Sequence, residues 1–207
     1  MRRQVDIEQA LATMDPDQEF FLVYMPLVNA QTRKIEGFEV LLRWVSSKLG
    51  FVGPDEFVPI AEAKGLFHMV DQWVVTNAIK FYAELRQRLG YDFKLSVNLS
   101  SAQLNETKIV GTLLNTSKKY DVSPNFIQLE MTETLNVEYT EKADALLNVL
   151  KDLGFQIAID DFGTGHTALL QLVEYPAQMI KFDKAFFDKA MLPENRKMLE
   201  PLIKLCH

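Results

Sequence analysis

Five oxygen-bearing side chains fall inside or directly after short apolar runs: Glu39 in GFEVLLRW, Asn98 in LSVNL, Glu130 in FIQLEM, and the adjacent Asp160 and Asp161 in QIAIDD. Brought together, four carboxylates and an amide would concentrate negative charge that must be protonated or neutralised by a cation. Oxygen donors select hard ions, so Mg²⁺ or Mn²⁺ is expected, with Ca²⁺ tolerated in looser coordination. Paired aspartates at one strand end suit two ions, Asp160 bridging and Asp161 serving one of them, which is an arrangement for phosphodiester hydrolysis. Lys181 is embedded in MIKF, where an ammonium needs a partner. Beside metal ions it would orient the attacking water or stabilise phosphoryl charge.

Taken singly, an acidic residue at a strand end ordinarily caps the next helix or pairs with a surface lysine. Recurrence is what points to a site. Arg43, at the end of the strand that carries Glu39, has two open roles: a local pair with a carboxylate, or a fork for phosphate. Gly163 and Gly165 in DDFGTG fit a tight turn as readily as a phosphate loop. His68 and His166 suit surface or packing roles, and Trp73, Phe81 and Tyr82 at helical spacing suit a core.

The elements that must position these residues follow from the hydropathy pattern. Phe20–Val28, Gly37–Trp44, Leu95–Leu99, Phe126–Met131, Gln156–Asp160 and Met179–Phe182 read as strands. Between them lie helical stripes, the clearest being Val70, Val74, Ala78, Phe81, Leu85 and Leu89, closed by Gly90. A further stripe, Leu146, Leu150 and Leu153, is closed by Gly154, and Val5–Met14 reads as a lead-in helix. Strands alternating with helices predict parallel βα units, either doubly wound or barrel-like. After a longer first step, the polar positions recur at intervals of roughly 30 residues, one βα unit each. The lack of a Gly-rich dinucleotide loop favours a barrel.

Composition bounds the rest. With 207 residues, 48% hydrophobic and 24% charged, the chain can bury one substantial core. A net charge of −6 argues against a nucleic-acid polymer as partner, since phosphate backbones need clustered cations. Cys206 is the only cysteine, so neither an internal disulfide nor a cysteine metal cage can form, which fits a cytoplasmic location. No apolar run of about 18 residues predicts a membrane segment.

The stretches EFFLVYMPLV, GFEVLLRW, FVPIAE, SVNLSSAQL, LEMTET, AIDDFGTG and MIKFD occur in the order found in EAL domains. The chain therefore resembles that family of bacterial phosphodiesterases, which linearise cyclic di-GMP to pGpG. The resemblance implies an α/β fold, a TIM-like barrel whose first strand runs antiparallel. It also implies that Glu39, Asn98, Glu130, Asp160 and Asp161 ligate the metals and that Lys181 is the catalytic-site lysine. Arg43 would contact the dinucleotide, and Glu133 would anchor the loop after DDFG. Possible partners are a second copy of the chain and an upstream sensor or GGDEF-type module.

Departures from the family pattern qualify these expectations. Val40 makes the signature EVL, Met25 stands where Gln is common, and Ser46 and Ser47 replace His-Pro. Gln178 replaces a frequent Asp, and His166 a Tyr. The family's later AEGVE and QG segments do not occur before His207, so the expectation is a lead-in helix over 1–18 followed by an incomplete domain over 19–207. That domain would have about six of eight strands and weak or no activity by itself. The rival readings are a receptor that binds cyclic di-GMP without hydrolysis and an inactive partner-binding barrel. Inactive relatives often lose ligand carboxylates, and none of the visible ones is lost here.

Overall fold

Parallel strands need helix-sized crossovers, so the spacing of the apolar runs dictates most of the architecture. The computed structural model describes residues 2–100, 103–105, 107–132, 141–163 and 176–205. Helices α1 (Arg2–Thr13) and α2 (Pro16–Glu19) lead into strands β1 (Phe20–Val28), β2 (Ile35–Ser46) and β3 (Gly50–Val52). Then come α3 (Pro54–Ala63), α4 (Phe67–Leu89), β4 (Lys94–Asn98), α5 (Lys108–Lys119), β5 (Ile127–Thr132) and α6 (Glu141–Asp152). The order closes with β6 (Gln156–Phe162), β7 (Met179–Phe182), α7 (Lys184–Ala190) and α8 (Arg196–Leu205). Among the described residues no helix is long and apolar enough to cross a membrane.

The sheet runs β1-β2-β4-β5-β6-β7, with β3 paired to β2. β1 is antiparallel to β2, and every later pair along that path is parallel. Spatial order thus follows chain order without reversal, which is barrel winding and excludes the doubly wound alternative. Among the described residues β1 and β7 each pair on one side only. The short β3 was not expected, because three residues are too few for alternation to register.

Alternation along the strands separates two chemistries. Leu95, Val97, Ile127, Leu129, Met131 and Ile157 face the helices and form the main core with Ala78, Ile79 and Tyr82 of α4, Leu113 of α5 and Leu147 of α6. The opposite, inner face carries Ser96, Asn98, Gln128 and Glu130, two residues apart on each strand. On β1 that face presents Phe21, Val23 and Met25, all three exposed, which pair with Arg43, Leu41 and Glu39 respectively. Gly37, two residues before Glu39, lets β2 approach β4: a Cβ there would collide with the carbonyl oxygen of Lys94.

The α4 stripe differs from expectation. Val70, Asp71, Val75, Ala78, Ile79 and Tyr82 are buried, whereas Leu89 is exposed and Phe81 lies at the margin, stacked on Tyr24. The helix packs on strands along one flank and on α5 along another, so its buried arc is set by two neighbours rather than by hydropathy alone. Gly90 ends the helix as expected, at φ 75°, with its N–H bonded to the Arg86 carbonyl.

A second core joins the N-terminal helix to the β2–α3 region. Ile7, Ala10 and Leu11 of α1 pack with Phe20, Trp44, Val52, Phe57, Ile60 and Ala61. At its edge the buried Glu19 accepts hydrogen bonds from Trp44 Nε1 (2.9 Å) and Ser47 Oγ (2.6 Å). Burial pushes the Glu19 carboxyl up, but the bonds from Ser47 and Trp44 outweigh it and hold it below the ordinary glutamate value. A depressed pKa contributes stability that is present above the unfolded value, about 4.3, and is lost as pH falls through the folded value. Glu19→Gln is therefore expected to be less stable than the parent at pH 7, with the gap narrowing below about pH 4.3. Urea unfolding at both pH values checks this, and a gap constant with pH would reject it.

Candidate metal centre

Glu39 lies on β2, Glu130 on β5, Asp160 on β6 and Lys181 on β7, so four strands each contribute one side chain to the inner face. Lys181 Nζ lies 3.1 Å from Glu39 Oε2, 2.8 Å from Glu130 Oε2 and 3.1 Å from Asp160 Oδ2. One oxygen from each of the three carboxylates falls within 4.8 Å of the others. The Glu130 side chain is fully buried, and that of Glu39 nearly so. Burial alone would depress the Lys181 pKa. The bond and charge of Glu130, with the charges of Asp160 and Glu39, outweigh it and leave the ammonium above the ordinary lysine value. For Glu130, burial pushes the carboxyl up, and Glu39 and Asp160 add to the push that Lys181 opposes.

Beneath Glu130 is a support that the sequence reading missed. Buried Gln128 donates through Nε2 to Glu130 Oε1 and to Ser96 Oγ, both at 3.0 Å. Both hydrogens of the amide are used, which fixes the Glu130 carboxylate from below. A signal was present: Gln128 and Ser96 each precede a site residue by two positions and so share its face.

Asp160 and Asp161 are consecutive, and in a regular strand they would point to opposite faces. The β6–β7 register shifts between Ile159 and Phe162, and Asp161 has a left-handed backbone at φ 53°. This bulge sends Asp160 to the carboxylate cluster and Asp161 to an adjoining groove, with the Asp161 N–H donating to Asp160 Oδ1 at 2.9 Å. Burial, then Asp160 and Asp183, raise the Asp161 carboxyl.

The groove encloses about 600 Å³ and is lined in part by Arg43, Asn98 and Asp161. Asn98 pairs across the sheet with Glu130, beside the cluster. Arg43 donates through Nη1 to the Leu42 carbonyl oxygen (2.8 Å), and among the described residues it forms no ion pair. Glu62 of α3, whose carboxyl burial pushes up, and Asp71 of α4 also line the groove. Neither was singled out from the sequence, because their helices carry no strand-end signature. Glu133, Gly165 and His166 lie outside the described residues. Gly163, at φ 101°, has a packing reason of its own, since a Cβ would strike the Phe186 ring. His68 is exposed on the first turn of α4.

Three carboxylate oxygens converging between strands are a donor set that fits a hard divalent cation. A family model described as EAL domain matches residues 5–207. The chain belongs to the EAL domain family. This EAL domain is 42% identical over 207 residues to biofilm architecture maintenance protein MbaA of Vibrio cholerae, across 100% of the chain and 26% of that protein. It is 32% identical over 200 residues to cyclic di-GMP phosphodiesterase PA2567 of Pseudomonas aeruginosa, across 96% of the chain and 33% of that protein. Among solved structures, EAL enzyme Bd1971 in its cAMP- and cyclic-di-GMP-bound form matches with a TM-score of 0.88 at 32% identity, over 99% of this chain and 57% of that one. The chain spans a quarter to a third of the length of these two curated relatives. The fold is the family's TIM-like barrel winding, open between β1 and β7 among the described residues.

The departures in this EAL domain now have positions. Val40 is buried in the main core, facing away from the carboxylates, so the EVL signature leaves Glu39 in place. Met25 lies directly across from Glu39. Gln178 accepts from the Ile157 N–H through Oε1 (2.7 Å) while its own N–H bonds the Ile157 carbonyl, tying the start of β7 to β6.

Proposed function

We propose that this EAL domain serves metal-dependent hydrolysis of cyclic di-GMP to linear pGpG. The observation that carries the reading is the convergence of Glu39, Glu130 and Asp160 on one point, beside a groove bearing Arg43, Asn98 and Asp161. The name of the Pseudomonas relative and the ligand of the Bd1971 structure support the substrate class. Glu39, Asn98, Glu130, Asp160 and Asp161 would hold Mg²⁺ or Mn²⁺, two ions in the intact site. When bound, such ions polarise the phosphoryl oxygens and acidify water. Water adds to phosphorus, one bond to a ribose 3′ oxygen breaks, and that oxygen takes a proton. Lys181 contributes positive charge to the phosphoryl group as charge develops there, and Arg43 offers two parallel donors to a phosphate.

A cytoplasmic setting, pairing of two copies, and an upstream sensor or GGDEF-type module belong to the same proposal. Incubation of the purified protein with cyclic di-GMP and Mn²⁺ or Mg²⁺, followed by ion-pair chromatography, tests the reaction. The expected result is multiple turnovers to pGpG, abolished by EDTA. Tight binding without pGpG under either metal would replace the reading with that of a receptor. Absence of both binding and turnover would reject cyclic di-GMP as the ligand.

A further inference from the structure

We propose that Lys181 is the resident cation of the carboxylate cluster and a built-in competitor for the divalent ion. The inference rests on the metal reading above. An ammonium has three N–H donors and no acceptor. Here three carboxylate oxygens stand at 2.8–3.1 Å, one each from Glu39, Glu130 and Asp160. The ammonium donates hydrogen bonds to Glu39 and Glu130 and forms an ion pair with Asp160. Those three residues are the same ones whose oxygens are grouped closely enough to hold a metal ion. Mg²⁺ draws its oxygens in to about 2.0–2.1 Å in near-octahedral array, so an ion held by these three would compete with the ammonium for them and repel it at close range. Metal loading on these carboxylates would therefore drive Lys181 away from the centre of the cluster.

Two consequences follow. Without metal, Lys181 holds three carboxylates together that would otherwise repel one another on the inner face. With metal, its donors are released for other acceptors, so metal loading itself makes the lysine available to a phosphoryl group. The affinity of the site for divalent ions is thereby set below what the carboxylates alone would give. The arrangement couples loading to activation.

Calorimetric titration of Mn²⁺ into the parent protein, Lys181→Met and Lys181→Gln tests the competition. Both variants are expected to bind Mn²⁺ at least about tenfold more tightly than the parent. Their thermal midpoints should be lower without metal and rise more when Mn²⁺ is added. A second measurement needs no variant: reductive methylation of the Lys181 amine, followed by mass spectrometry, should be slow in EDTA and faster with saturating Mn²⁺. Unchanged or weaker Mn²⁺ affinity in both variants, or equal methylation with and without Mn²⁺, would overturn the inference while leaving the metal site intact. No Mn²⁺ binding in the parent or in either variant would remove the metal reading and this inference together.

Discussion

Glu130→Gln is expected to lower turnover of cyclic di-GMP by at least about 10³-fold, roughly 4 kcal/mol of transition-state stabilisation. The substitution keeps the side-chain volume, so it creates no cavity at a fully buried position. Gln128 still finds an acceptor oxygen, and Lys181 keeps Glu39 and Asp160. What would be lost is one of the three clustered carboxylates proposed to hold a divalent ion. Since altering groups that merely orient metal ligands costs about 10–100-fold, removing a ligand's charge should cost more. The unfolding free energy should fall by no more than about 2 kcal/mol, because the lysine is left with two of its three partners. Parallel Mn²⁺ calorimetry, turnover and urea unfolding separate the effects. Turnover and Mn²⁺ affinity within a few-fold of the parent would show that Glu130 is not a ligand.

The second large effect belongs to stability. Trp44→Ala should destabilise the fold by about 3–5 kcal/mol, a large share of the 5–15 kcal/mol typical of a domain. Trp44 is fully buried and packs edge-on against Phe20 and Phe57, with ring centroids 6.3 and 5.3 Å away. Its indole N–H also satisfies the buried Glu19 carboxylate. Trp44→Phe keeps an aromatic ring but removes that donor, so it should cost about 1–3 kcal/mol and separates the lost hydrogen bond from the cavity. Urea midpoints at pH 7 measure both. A loss below about 1 kcal/mol for Trp44→Ala would mean that the second core adds little to global stability.

The principal strands were readable because their signals are local. Phe20–Val28 and Met179–Phe182 match the expected segments, and β2 extends the expected Gly37–Trp44 by two residues at each end. Short β-branched and aromatic runs between turn residues suffice to mark strands, and helix-sized gaps suffice to make them parallel. The residue types at the candidate site were equally readable, since a carboxylate or lysine inside an apolar run stands out against its neighbours. The arc of α4 was not, because two packing partners decide which flank of that helix is buried.

Sequence by itself determined the strand and helix order, the polar inner positions and the motifs shared with EAL domains. Only the tertiary structure decided that Lys181 meets Glu39, 142 residues away, together with Glu130 and Asp160. It also decided that a bulge at Asp161 turns two consecutive aspartates to different surroundings, the carboxylate cluster and the groove, and that Gln128 and Ser96 brace Glu130 from below. The physical reason is one of range. Periodicity along the chain fixes the face to which a side chain points, whereas cross-strand register, strand tilt and local backbone strain fix which distant side chains come within hydrogen-bonding distance.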